Sequence, residues 1–141
     1  MSQIIELADA VVAHLNVAVF SVPVAAERKY VPVVELPNMN TLHVTVVPKG
    51  LAIGPLDRTR DAYDYELDVA VQQKTDGSPA HVDALMTLVQ EIADSFRTPQ
   101  LSTYPNARCV ELKNVPVYSP EHLEQFNQFT SVLSLKFRVP R

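Results

Sequence analysis

Glycine is scarce in this chain of 141 residues: Gly50, Gly54 and Gly77 stand against 11 prolines. Three scattered glycines cannot build a Gly-rich phosphate cradle, which needs them at fixed spacing so that backbone N–H groups converge on an anion. Proline does the loop shaping instead. Cysteine is scarcer still, with Cys109 alone. No intrachain disulfide can form, and a lone thiol in a strand-like run reads as a small buried hydrophobe, which fits assembly in a reducing cytoplasm. No apolar run approaches the ~18 residues of a membrane-spanning helix. The N-terminal stretch MSQIIELADAVVAHL lacks the basic start of a secretory leader and is interrupted by Glu6 and Asp9. Positive charge is also short: 12 Lys and Arg against 16 Asp and Glu give a formal charge of -4. A general nucleic-acid binder would offer a basic stripe for phosphate contacts, and that class is disfavoured.

What is present is ordinary globular composition, 47% hydrophobic and 20% charged, which suggests neither disorder nor a fibrous repeat. A chain of this length buries about two-thirds of its unfolded surface, so a single domain over residues 1–141 with one core is expected. There is no internal repeat, low-complexity segment or linker.

Along the chain, Ile4, Leu7, Val11 and Leu15 recur at helical spacing and predict an amphipathic helix from near Ser2 to near Asn16. The segment that follows is rich in β-branched residues but broken by Pro23, Pro32 and Pro37, so its strands should be short or at an edge. LHVTVV, from Leu42, alternates and stops at Pro48, Lys49 and Gly50, which predicts a strand, a turn and then a loop over GLAIGPLD. DYELDVAVQQK is the longest and clearest strand. In KTDGSP, Ser78 is set to cap a second helix with Pro79 at its first position, and Val82, Leu85, Val89, Ile92 and Phe96 share one face of that helix. RCVELKNVPVY and FTSVLSLKFRV complete the pattern as strands, joined by SPEHLEQ. The expected fold is α+β, a mostly antiparallel sheet of about four strands with two helices on one face, in the order α-β-β-β-α-β-β.

The stretch from Tyr63 to Gln72 raises a chemical question, because Tyr63, Tyr65, Leu67, Val69 and Val71 alternate with Asp64, Glu66, Asp68, Ala70 and Gln72. Alternation puts an apolar stripe on one side of a strand and three carboxylates on the other. Asp64 and Asp68 lie roughly 13 Å apart along an extended strand, too far to share one cation. No His-x-x-x-His spacing or cysteine cluster supplies further ligands, so neither metal nor other cofactor is expected. Acid-base catalysis would need a cleft and a perturbed pKa, which alternation does not provide. Glu111, Lys113, Lys136 and Arg138 also project from alternating positions, so Lys113, Lys136 and Arg138 are candidate cross-strand or intersubunit partners for the acidic row.

His14, His43, His81 and His122 share no spacing and read as surface or locally bonded histidines. There is no Gly-x-Ser-x-Gly elbow and no Cys-His motif to make Cys109 a nucleophile, so no enzyme is expected. Arg28, Lys29 and Tyr30 form one small basic and aromatic cluster, Arg58 and Arg60 a second. With Lys49 they mark the segments 22–41 and 48–60 as candidate contacts with partner proteins, since long loops in small domains tend to be functional.

Taken together, the N-terminal helix, LHVTVVPKG, DYELDVAVQQK, the helix VDALMTLVQEIADSF and the ending PVYSPEHLEQFNQFTSVLSLKFRV resemble the tail terminators and related neck and tail-completion proteins of long-tailed bacteriophages. The closing strand, with Phe129, Ser131, Leu133, Leu135 and Phe137, carries most of the likeness. The resemblance implies a virion structural protein of the head-tail junction, assembled in the host cytoplasm. It implies a homo-oligomeric ring, commonly a hexamer, that caps the tail tube, meets the head connector proteins and lets DNA pass in transit, with no membrane involved. A stopper, another minor tail protein or a monomeric adaptor is the alternative, and a small enzyme ranks last. In a ring, Asp64, Glu66 and Asp68 would face the lumen, where they would repel phosphate, or lie on the outer face or in subunit contacts paired with Lys136 and Arg138.

Overall fold

The computed structural model describes residues 2–29, 42–75, 78–97, 101, 107–114, 118, 120–121 and 128–140. Tyr30, Gly77, His122 and the latter part of the segment 22–41 lie outside the described residues.

Helix α1 spans Gln3–Val17 and turns Leu7, Ala8, Ala10, Val11 and Leu15 inward. Helix α2 spans Pro79–Ser95 and buries Leu85, Leu88, Val89 and Ile92. Its start has the expected chemistry: the Ser78 hydroxyl accepts the backbone N–H of His81 at 3.3 Å, and Pro79 occupies the first turn, where its missing N–H costs nothing. Five strands follow in chain order: β1 Ala26–Arg28, β2 His43–Pro55, β3 Asp61–Lys74, β4 Arg108–Lys113 and β5 Gln128–Pro140. They form one sheet in the order β1-β2-β3-β5-β4. Every pairing is antiparallel except β1 with β2, which is parallel.

The α+β architecture and the α-β-β-β-α-β-β order match the expectation; the first of its strands, three residues long at the edge, brings the sheet to five rather than about four. That strand falls in the proline-broken segment, where only a short edge strand could form. The loop expected over residues 50–57 is a correction. β2 runs on to Pro55, and only Leu56–Arg60 turns the chain. The sheet survives Pro48, Lys49 and Gly50 because the register shifts between Pro48 and Gly50, a β-bulge that absorbs one extra residue.

The inner face of the sheet meets both helices. Val44 and Val46 of β2, Tyr65, Leu67, Val69 and Val71 of β3, and Phe129, Leu133, Leu135, Phe137 and Val139 of β5 join the helix side chains in one buried cluster. Burying a side chain of this size is worth about 1.5–3 kcal/mol, so this side carries the stability. Phe96 ties the layers together, lying edge-on to Phe137 with ring centres 6.2 Å apart and against the His14 ring at 4.6 Å. No helix of the described residues is long and apolar enough to cross a membrane.

Candidate functional site

The outer face of the sheet is divided. At one end Thr45, Val47, Ala70 and Gln72 are buried, although alternation alone put Ala70 and Gln72 on the wet side. Gln72 Oε1 is buried there without a hydrogen-bond partner among the described residues. At the other end lie Asp64, Glu66 and Asp68, and each faces a cation or hydroxyl across the sheet.

Register dictates these meetings. Asp64 stands opposite Arg138, Glu66 opposite Lys136 and Asp68 opposite Ser134. The Arg138 guanidinium donates to both Asp64 oxygens, at 2.8 and 3.1 Å, a two-point grip with fixed geometry. This hydrogen bond holds the Asp64 carboxyl below its usual range and raises Arg138. Lys136 Nζ sits 3.9 Å from Glu66 and 3.2 Å from Glu111. Glu111 also takes Lys113 at 2.9 Å, and with the Lys113 bond foremost the two lysines lower its pKa. Lys113 thus pairs with Glu111 on its own strand and feels Glu66 of the acidic row through charge alone. Asp68 accepts from the Ser134 hydroxyl at 3.1 Å and meets Lys49 at 3.0 Å.

Lys49 is where the bulge matters. It is the extra residue between Pro48 and Gly50, and its ammonium reaches over the outer face to Asp68 instead of projecting from a loop. Its place was hidden in the sequence because the break in alternation there reads as a turn. The available signal was a change of phase: Val44 and Val46 face inward before the break, Leu51 and Ile53 share the inner face after it.

The result is a lattice of four carboxylates, Asp64, Glu66, Asp68 and Glu111, interleaved with Lys49, Lys113, Lys136 and Arg138, and with Arg108 opposite Arg138 at the edge. It is not a bare anionic stripe. Its center is a shallow depression of about 260 Å³ lined by Lys49, Glu66, Asp68, Glu111, Lys113 and Lys136. Asp64 and Glu111 are both stabilised as carboxylates, the wrong direction for a general acid at neutral pH. Among the described residues no three His, Cys, Asp or Glu side chains gather to hold a metal ion.

The other candidates are spread out. Arg28 binds Asp9 at 2.7 Å and Lys29 reaches Glu27 at 3.3 Å. Arg60 closes the β2–β3 turn: the Asp57 carboxylate accepts the backbone N–H groups of Thr59 and Arg60 and the Arg60 side chain, which together bring Asp57 down to about 2. Arg58 lies exposed at the tip of that turn. His14 bonds Ser95 and burial lowers its pKa, while His81 bonds Thr75 at 2.9 Å, so both serve the helix layer. Cys109 is half-buried and its thiol is pushed up by burial, which makes it a poor nucleophile.

A five-stranded, mostly antiparallel sheet with two helices on one side and a mixed-charge face on the other defines a two-layer α+β protein. No family model and no curated protein sequence matches the chain. Its fold is similar to that of a chain in a solved structure described as "Virion of native gene transfer agent (GTA) particle". The TM-score is 0.57 at 17% identity, and the match covers 96% of this chain and 95% of that one.

Proposed function

We propose that the chain is a structural virion protein of a phage-like head-tail junction, a tail terminator that works as a ring, capping the tail tube and joining it to the head connector. The observation that carries this reading is the fold shared with a virion chain over 96% of the sequence. The sequence texture of the closing strand points the same way. The activity is binding and assembly, without catalysis. Removing the protein during particle assembly should give tails of irregular length that fail to join heads, as seen by negative-stain electron microscopy. Normal, joined particles would overturn the reading.

In such a ring the outer face lines the channel. With its carboxylates neutralised by neighbouring cations, it offers DNA neither a phosphate-binding stripe nor a strong barrier. The triple variant Asp64→Asn, Glu66→Gln, Asp68→Asn strips the lattice of carboxylates that face Lys49, Lys136 and Arg138. It should fold, and its ring should bind DNA at low salt and release it at high salt. A variant ring with no DNA affinity would place this face away from the channel.

A further inference from the structure

Among the described residues the sheet has two open edges, and they match. Beyond Val46, where β1 ends its pairing, no described strand pairs with the outer edge of β2 through Pro55. At the other end of the sheet β4, six residues long, is the last described strand. Following the pairings across the sheet, β2 and β5 run one way, β3 and β4 the other. A second copy set beside the first in the same orientation therefore brings its β2 against β4 in the antiparallel sense, the pairing that gives straight hydrogen bonds.

The side chains fit the same arrangement. Leu51 and Ile53, on the inner face of β2, are 51% and 56% exposed, far more than any inner-face residue of β3 or β5. Beside the β4 edge runs a groove of about 310 Å³ between α2 and the sheet, lined by apolar Met86, Val89, Ala93, Leu112 and Leu133 and by polar Gln90, Asp94, Arg97 and Asn114. It lies on the inner side, level with the face that Leu51 and Ile53 present. Charge agrees as well. Arg108 stands opposite Arg138, a like-charge pair that costs stability, and Asp61, cross-strand partner of Pro55, arrives at the Arg108 end of an antiparallel match. On the outer side Gly50, Ala52 and Gly54 leave room for the long side chains of β4.

We propose that the segment 50–55 of β2 adds to β4 of a second copy of this chain, with Leu51 seated in the groove between α2 and β4 and Ile53 beside Cys109 and Val110, where Phe96 and Arg97 line a second depression. This heterologous contact generates a closed ring when its rotation closes. It rests on the ring reading and supplies its interface. Each edge strand carries a bulge, at Lys49 and at Val110, a device that guards an edge against indiscriminate pairing.

Disulfide trapping tests this in a Cys109→Ser background. Val110→Cys is combined in turn with Gly50→Cys, Ala52→Cys and Gly54→Cys, and with Val19→Cys, an exposed position at the end of α1, as the control. Mild oxidation should convert at least one edge pair into a ladder of linked copies that ends at the ring size, and leave the control unlinked. If wild-type protein is oligomeric by native mass spectrometry but no edge pair links faster than the control, the edge contact is wrong and the ring reading stands. A wild-type chain that stays monomeric at its highest soluble concentration overturns both. The double variant Leu51→Asp, Ile53→Asp should be a folded monomer by circular dichroism and native mass spectrometry; retention of the wild-type oligomer would also overturn the contact.

Discussion

The two faces of β3 are made by one run of residues and do opposite work. Tyr65, Leu67, Val69 and Val71 lie against both helices and are almost fully buried. One residue out of step, Asp64, Glu66 and Asp68 stand in a half-wet lattice of ion pairs, Glu66 and the cations Lys49 and Arg138 well exposed, Asp64 and Asp68 largely covered. The inner face gains from area removed from water, which is large and indifferent to salt. The outer face gains from charge in a high-dielectric setting, which is small for each pair and screened by salt. The fold therefore depends on the inner face, and the outer one is free to be chosen for what it meets.

The sharpest way to break that contrast is Leu67→Ala, a truncation at zero exposure in the middle of the sheet. It should cost about 2–5 kcal/mol by denaturant unfolding, through lost burial and the cavity left behind. Acid should act next, through His14, whose neutral ring is held between Phe96 and Ser95. Its pKa is lowered by burial, so its contribution is complete above the ordinary histidine value of about 6.5 and is lost as pH falls through the lower folded value. Thermal unfolding followed across mildly acidic pH should show this loss, and His14→Gln should flatten it.

The smallest effect should come from Asp64→Asn, at most about 1 kcal/mol, measured at neutral pH in low and high salt. Because Arg138 lowers the Asp64 pKa, this part is present above about 4 and fades as pH drops through the folded value. A loss from Asp64→Asn as large as that from Leu67→Ala would mean that the outer face is a structural element in its own right.

Both helices, the long central strand, the Ser78–Pro79 start of α2 and the inward set of β5 were legible, because periodicity and capping are local. What the sequence hid is non-local. The grip of Arg138 on Asp64 depends on two strands 74 positions apart meeting in one register. The burial of Ala70 and Gln72 depends on what covers the sheet, which no alternation encodes. The role of Lys49 depends on a single unpaired residue that looked like the end of a strand.

That residue has a further consequence. Before Lys49, β2 writes its inward side in even numbers, Val44, Val46 and Pro48; after it, in odd ones, Leu51 and Ile53. The bulge works like a frameshift that restores sense. Deleting Lys49 should leave every later side chain on its present face, merely straightening the strand. Inserting one residue after Ala52 would turn Ile53 out among the charges. For the tip of this hairpin, the count of residues matters as much as their chemistry.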